Sequence, residues 1–137
     1  MTEEVEAAFW DGVEQFNRQE FYACHDTLEA IWMEAMEPQR TFYQGILQIA
    51  VALYHLGNDN LRGATILLGE GLTRLRRYQP TYAEVDVTAL VTQSAELLTK
   101  LQQAQLVGGE AIAPNFLTTN LLATHLPTIT LAIAPKN

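Results

Sequence analysis

The sequence is poor in cysteine, in lysine and in long uncharged apolar runs. Cys24 is the one cysteine in 137 residues. A single thiol excludes an internal disulfide framework and a Cys-based zinc ribbon, and it fits a reducing compartment. Only Lys100 and Lys136 supply ammonium groups, and 8 basic residues face 16 acids for a net charge of −8. An acidic surface repels phosphate backbones, so nucleic acid is not expected as a partner. No uncharged apolar run of about 18 residues occurs, so no membrane association is expected either. The opening Met1-Thr2-Glu3-Glu4-Val5-Glu6 is acidic where a secretory leader needs positive charge followed by an apolar stretch. The expectation is a cytoplasmic protein. Internal repeats, a Gly-rich phosphate loop, a nucleophile elbow and a zinc-protease helix are all missing from the sequence.

What is present is a folded domain. Hydrophobic residues make up 48% of the chain and charged residues 18%, a balance that argues against disorder. A chain of this length buries roughly two-thirds of the surface it exposes when unfolded. Charge is unevenly placed. Residues 1–37 hold ten acids against Arg18 alone, and no charged side chain stands between Ala111 and Pro135.

Val5, Ala8, Phe9, Gly12, Val13 and Phe16 recur at helical spacing, with Thr2 as a cap. Phe21, Cys24, Leu28, Ile31 and Ala35 mark a second helix, which Pro38 ends. The third runs to about Gly57. From Phe42 to Leu56 it is apolar nearly all round and uncharged, as suits the centre of a bundle. Gly57-Asn58-Asp59-Asn60 is turn chemistry, with Asn58 or Asp59 as the next cap. Leu61, Thr65, Leu68, Leu72 and Leu75 stripe a fourth helix closing at Tyr78, with Arg74, Arg76 and Arg77 at its carbonyl end. Asp86 caps a fifth, which Gly108-Gly109 stops. The expected fold is all-α: an antiparallel bundle of about five helices over residues 1–109, with an uncharged, extended C-terminal arm over 110–137. Ile129, Leu131 and Ile133 alternate with Thr128, Thr130 and Ala132, a period of two. A lone strand has nothing of its own to pair with in such a body. It either packs over the bundle or pairs with the same segment of a second chain, and a homodimer through the arm or a helix face is therefore expected.

Two helices carry polar lines. His25, Glu29, Trp32 and Met36 share one face of the second, overlapping its apolar stripe. Gln44, Gln48 and His55 line the third. Buried polar groups need partners, and facing lines would supply them. Three readings stay open. One is a structural network with Glu29 as acceptor. Another is a small-molecule pocket between helices. The third is a divalent metal site on His25, Glu29 and His55, serving a hydrolase with Asp26 or Asp59 as base. Trp10, Trp32, Tyr22, Tyr43 and Tyr54 read as core or boundary aromatics, and Cys24 as a buried, inert thiol.

The stretch His25-Asp26-Thr27-Leu28-Glu29-Ala30-Ile31-Trp32 resembles the His-Glu-x-Leu-Glu-x-x-Trp helix of domain-of-unknown-function family 309. Gln44-Gly45-Ile46-Leu47-Gln48, Tyr54-His55, Asn60 and Gly63-Ala64 resemble its second signature, a Gln-Gly-x-x-Gln helix leading to an Asn-x-x-Gly-Ala turn. The resemblance spans roughly Phe9 to Pro80. It implies a small all-helical protein and features His25, Glu29, Trp32, Gln44, Gln48, His55 and Asn60, but it brings no mechanism. Asp26 stands where the family shows Glu. Whether the protein is an enzyme is left open by the residues.

Overall fold

The structure, a computed structural model, describes residues 2–106 and 126–132. Five α-helices follow in order: α1 (Glu3–Asn17), α2 (Phe21–Glu34), α3 (Gln39–Gly57), α4 (Leu61–Leu75) and α5 (Val87–Leu106). A 3-10 turn, Arg76–Tyr78, and a small antiparallel hairpin, β1 (Thr81–Tyr82) and β2 (Val85–Asp86), join α4 to α5. The expected five-helix bundle is what forms.

Each helix packs on the next one in the chain. Their antiparallel course shows in pairs of side chains. Tyr22 at the start of α2 meets Tyr54 near the end of α3, and Arg40 at the start of α3 lies over Trp32 near the end of α2. Gln105, late in α5, donates to Thr65, early in α4. Helix α3 is central as its composition demands: Phe42, Tyr43, Ile46, Ile49 and Ala50 are fully buried. Glycines set the closest approaches. A Cβ on Gly71 of α4 would stand 2.8 Å from the Gly45 carbonyl oxygen of α3, and one on Gly12 of α1 would meet Leu28 of α2 at 2.8 Å.

Local chemistry starts the helices. Thr2 Oγ1 accepts from the Val5 amide at the head of α1, and Asp86 Oδ1 accepts from Ala89 at the head of α5. The α3–α4 turn corrects one expectation: the cap is Asn60, whose Oδ1 accepts from the Gly63 amide at 3.0 Å. The amides of Asn58, Asp59 and Asn60 bond back to the His55 and Leu56 carbonyls and so finish α3. Asp59 then takes a positive φ of 59° to turn the chain. At the other end of α2, Met36 lies past Glu34 and is 81% exposed, so it does not share the helical face of His25 and Glu29. The α-helical part of α4 stops at Leu75, and the tighter turn carries the chain to Tyr78.

The arm expectation is met in part and corrected in part. Residues 126–132 lie on their own chain. Leu126 and Ile129 are buried, whereas Leu131 is 58% exposed. The strand does find a partner within the body: Val85 and Leu131 form an antiparallel bridge, Asp86 donates to the Thr130 carbonyl, and Ala132 donates to that of Glu84. The hairpin it joins was not foreseen. Each strand has two residues, too short for periodicity to register. The connecting residues, Ala83 and Glu84, both have positive φ (49° and 65°), yet they lack the Asn-Gly or Asp-Gly signature of such turns. The Gly108-Gly109 helix stop, Ile133 and most of the arm lie outside the described residues.

Candidate functional site

The i, i+4 spacing on α2 brings His25 and Glu29 together, with His25 Nε2 3.1 Å from Glu29 Oε2. Both are partly open, their side chains 26% and 46% exposed. His25 Nδ1 lies 3.3 Å from the Asp26 carboxylate, but the atom is buried and makes no hydrogen bond of good geometry. This ring nitrogen is thus close to a charge without a well-aligned partner.

Beside them runs a line of rings. Tyr22 sits 5.9 Å from His25 and 5.4 Å from Tyr54, centroid to centroid, and Tyr54 lies 6.1 Å from His55. Tyr22 is 58% exposed and Tyr54 40%. The expectation of core or boundary aromatics holds for Tyr43, which is fully buried, and not for Tyr22. Residue type alone could not separate them. Tyr43 lies on the buried face of the central helix, whereas Tyr22 follows Phe21 on the outer side of α2.

The remaining polar residues of the two motifs point elsewhere. Gln48 Oε1 accepts from Arg74 Nη1 of α4 at 3.2 Å. Asn60 Nδ2 stands 3.4 Å from His55 Nδ1, and its oxygen caps α4. Gln44 is half-buried one turn before Gln48. Trp32 carries the Arg40 guanidinium 4.5 Å above its ring, while its indole N–H is buried without a partner. The expected meeting of two polar lines is therefore divided: His25 with Glu29, His55 with Asn60, and Gln48 with α4. Among the described residues no group of three or more His, Cys, Asp or Glu side chains is placed to hold a metal ion. Arg40 and Arg74 are the partners that sequence reading missed. Their loose signal was position, since each lies one helix away from the polar residue it meets.

The geometry also explains motif spacing physically. In Asn-x-x-Gly, a Cβ at Gly63 would come within 2.6 Å of the Asn60 amide, so the cap requires glycine there. In Gln-Gly-x-x-Gln, a Cβ at Gly45 would strike Leu75 at 2.7 Å, and Gln48 ties the same two helices through Arg74. These residues build the fold. His25, Glu29 and their exposed ring neighbours are the part that packing does not account for.

Residues 9–67 match the model of a family described as Domain of unknown function (DUF309). The matched stretch is less than half of the chain. The match takes in both motifs read in the sequence and ends within α4. The chain is also similar to a relative called Uncharacterized protein YpuF from Bacillus subtilis (strain 168), 32% identical over 71 residues. That alignment covers 50% of this chain and 41% of the relative, so the matched part is less than half of the longer protein. Among the described residues no helix is long and apolar enough to cross a membrane.

Proposed function

We propose that the α2–α3 face carrying Tyr22, His25, Glu29, Tyr54 and His55 is a binding surface for a positively charged group. The observation behind this reading is the exposed Tyr22–Tyr54 pair, 5.4 Å between centroids, set beside the Asp26 and Glu29 carboxylates. Tyrosine rings attract a cation through their π faces, and a carboxylate at the edge adds direct Coulomb attraction. The other acids of residues 1–37, on α1 and α2 and in the flanking loops, add a weaker, general attraction for cations. His25, 3.1 Å from Glu29 and 5.9 Å from the Tyr22 ring, links the carboxylates to the aromatic pair.

Gln48 and Asn60 support a second, structural reading for their share of the cluster, because both are committed to hydrogen bonds that fix α4. The divalent-metal hydrolase alternative needs His25, Glu29 and His55 on one ion at about 2.0–2.2 Å. Instead His55 Nδ1 turns toward Asn60.

Calorimetric titration with the peptide acetyl-Arg-Gly-Arg-amide at physiological salt tests the proposal. Tyr22→Ala and Glu29→Gln are each expected to weaken binding about fivefold. The combined Glu3→Gln, Glu4→Gln and Glu6→Gln variant, altered on α1, is expected to bind nearly as wild type. If that variant loses binding while Tyr22→Ala keeps it, the attraction is general to the acidic surface and the proposed site is wrong.

A further inference from the structure

Away from the α2–α3 surface, the head of α1 and the loop joining α2 to α3 enclose a cleft of about 610 Å³. Its walls are mostly apolar: Val5 from α1, Ala30 and Ile31 from α2, then Ala35 and Met36 from the loop. The space follows from the sequence. Helix α2 stops at Glu34, and alanine at positions 30 and 35 provides too little side chain to fill the corner before α3 begins. Ligand sites in proteins commonly have this size and apolar character, with a few polar groups that orient the guest.

Tyr43 also lines the cleft. The residue is fully buried, its ring packed 5.7 Å from Phe9 and 6.1 Å from Phe42, which fixes its position. Its hydroxyl is buried too, and no group of the described chain accepts from it or donates to it. Buried hydroxyls in folded proteins nearly always have a partner. Burial, followed by the proximity of Tyr82, pushes the phenol above its ordinary value, so it remains an O–H donor at neutral pH. The described lining contains Glu34 and no Lys or Arg, and Glu3, Glu4 and Glu6 occupy the adjoining first turn of α1. Such a rim repels anions.

We propose that this cleft binds a neutral, mainly apolar small molecule whose carbonyl or ether oxygen accepts the Tyr43 hydroxyl proton. An anionic amphiphile is disfavoured by the acidic rim, and a strongly polar guest by the apolar walls.

The test compares two neutral probes of nearly equal size, 2-acetylnaphthalene and 2-ethylnaphthalene, followed by amide chemical shifts of the full chain. Saturable shifts are expected at Ile31, Ala35, Met36 and Tyr43, with the acetyl compound bound about fivefold tighter, the gain of one neutral hydrogen bond. Tyr43→Phe should bring the two probes to equal affinity while leaving the ethyl compound unchanged. Ala35→Trp should block both by filling the cleft. Equal affinities in the wild-type protein would overturn the proposal, since the hydroxyl would then be served in some other way. Shifts centred on Tyr22 and Tyr54, or none at all, would overturn it equally. The probe comparison stands even if Ala35→Trp does not fold.

Discussion

The side-chain amide of Asn17 engages both backbone polar groups of Ile129, 112 residues away. Its Nδ2 donates to the Ile129 carbonyl at 2.8 Å, and its Oδ1 accepts from the Ile129 amide at 2.7 Å. The contact lies at the end of α1 and closes around a side chain that is 4% exposed. A strand with one edge on the hairpin is thus fastened to the bundle on its other side.

Removing this clamp should release the strand. Asn17→Ala is expected to cost about 1–3 kcal/mol, because two partly buried backbone groups lose partners. Ile129→Ala should cost about 2–4 kcal/mol through the lost burial and the cavity. The two losses act on one docking event, so the double variant should fall short of their sum. Denaturant unfolding measures all three; strict additivity would show that Asn17 and the strand are independent.

Two glycines of α4, two positions apart, should respond in opposite directions to alanine. A Cβ at Gly69 meets nothing within 4 Å, while at Gly71 it falls 2.8 Å from both the Gly45 carbonyl oxygen and Ile49 Cγ1. Gly69→Ala is expected to stabilise by about 0.5–1 kcal/mol through helix propensity. Gly71→Ala should destabilise by about 1–3 kcal/mol, since α3 and α4 must separate. Equal effects at the two sites would contradict the close approach.

Glu37 gives the head of α3 a pH dependence. Thr41 donates to its carboxylate through the hydroxyl, at 2.5 Å, and through the backbone amide, at 2.8 Å. The hydroxyl bond first, and the amide bond after it, hold the Glu37 carboxyl below the ordinary range. A folded-state value below the unfolded one means that the contribution is full above the unfolded value, about 4.3, and fades as pH falls through the folded value. Glu37→Gln resembles the protonated acid. It should therefore be less stable than wild type near neutrality, and the gap should narrow below about pH 4.3. A gap constant with pH would exclude the carboxylate as its source.

Cys24 should be inert in the native state. Burial pushes its thiol up to about 12, and the residue is fully buried beside α2's apolar stripe. Thiolate is the reactive form, so labelling by a maleimide should be slow until denaturant opens the fold. Rapid modification of the native protein would mean that this part of the core opens readily.

How much of this was legible depends on the range of the signal. Thr2 and Asp86 were readable as caps because the hydrogen bond each makes spans three residues. The α4 cap was misplaced by one or two positions, because four turn residues in a row offer several candidates and only the bond from the Gly63 amide to Oδ1 singles out Asn60. His25 and Glu29 were readable as a pair because i, i+4 on a helix is a contact rule. Which face of α3 would meet that pair was not readable. Gln48 turned to Arg74, and the exposed partner of Tyr22 proved to be Tyr54.

The sequence by itself determined the five helices, the burial of the uncharged Phe42–Leu56 stretch of α3 and the match of residues 9–67 to the DUF309 family, since each is written in local periodicity, capping or motif spacing. Tertiary structure decided the rest. It chose the Asn17–Ile129 clamp, the hairpin edge that receives the strand, the division of the polar residues into three separate partnerships, and the corner that leaves the Tyr43 hydroxyl facing no protein partner. Each of these joins residues far apart in the chain, and no local rule ranks one distant partner above another until the helices have packed.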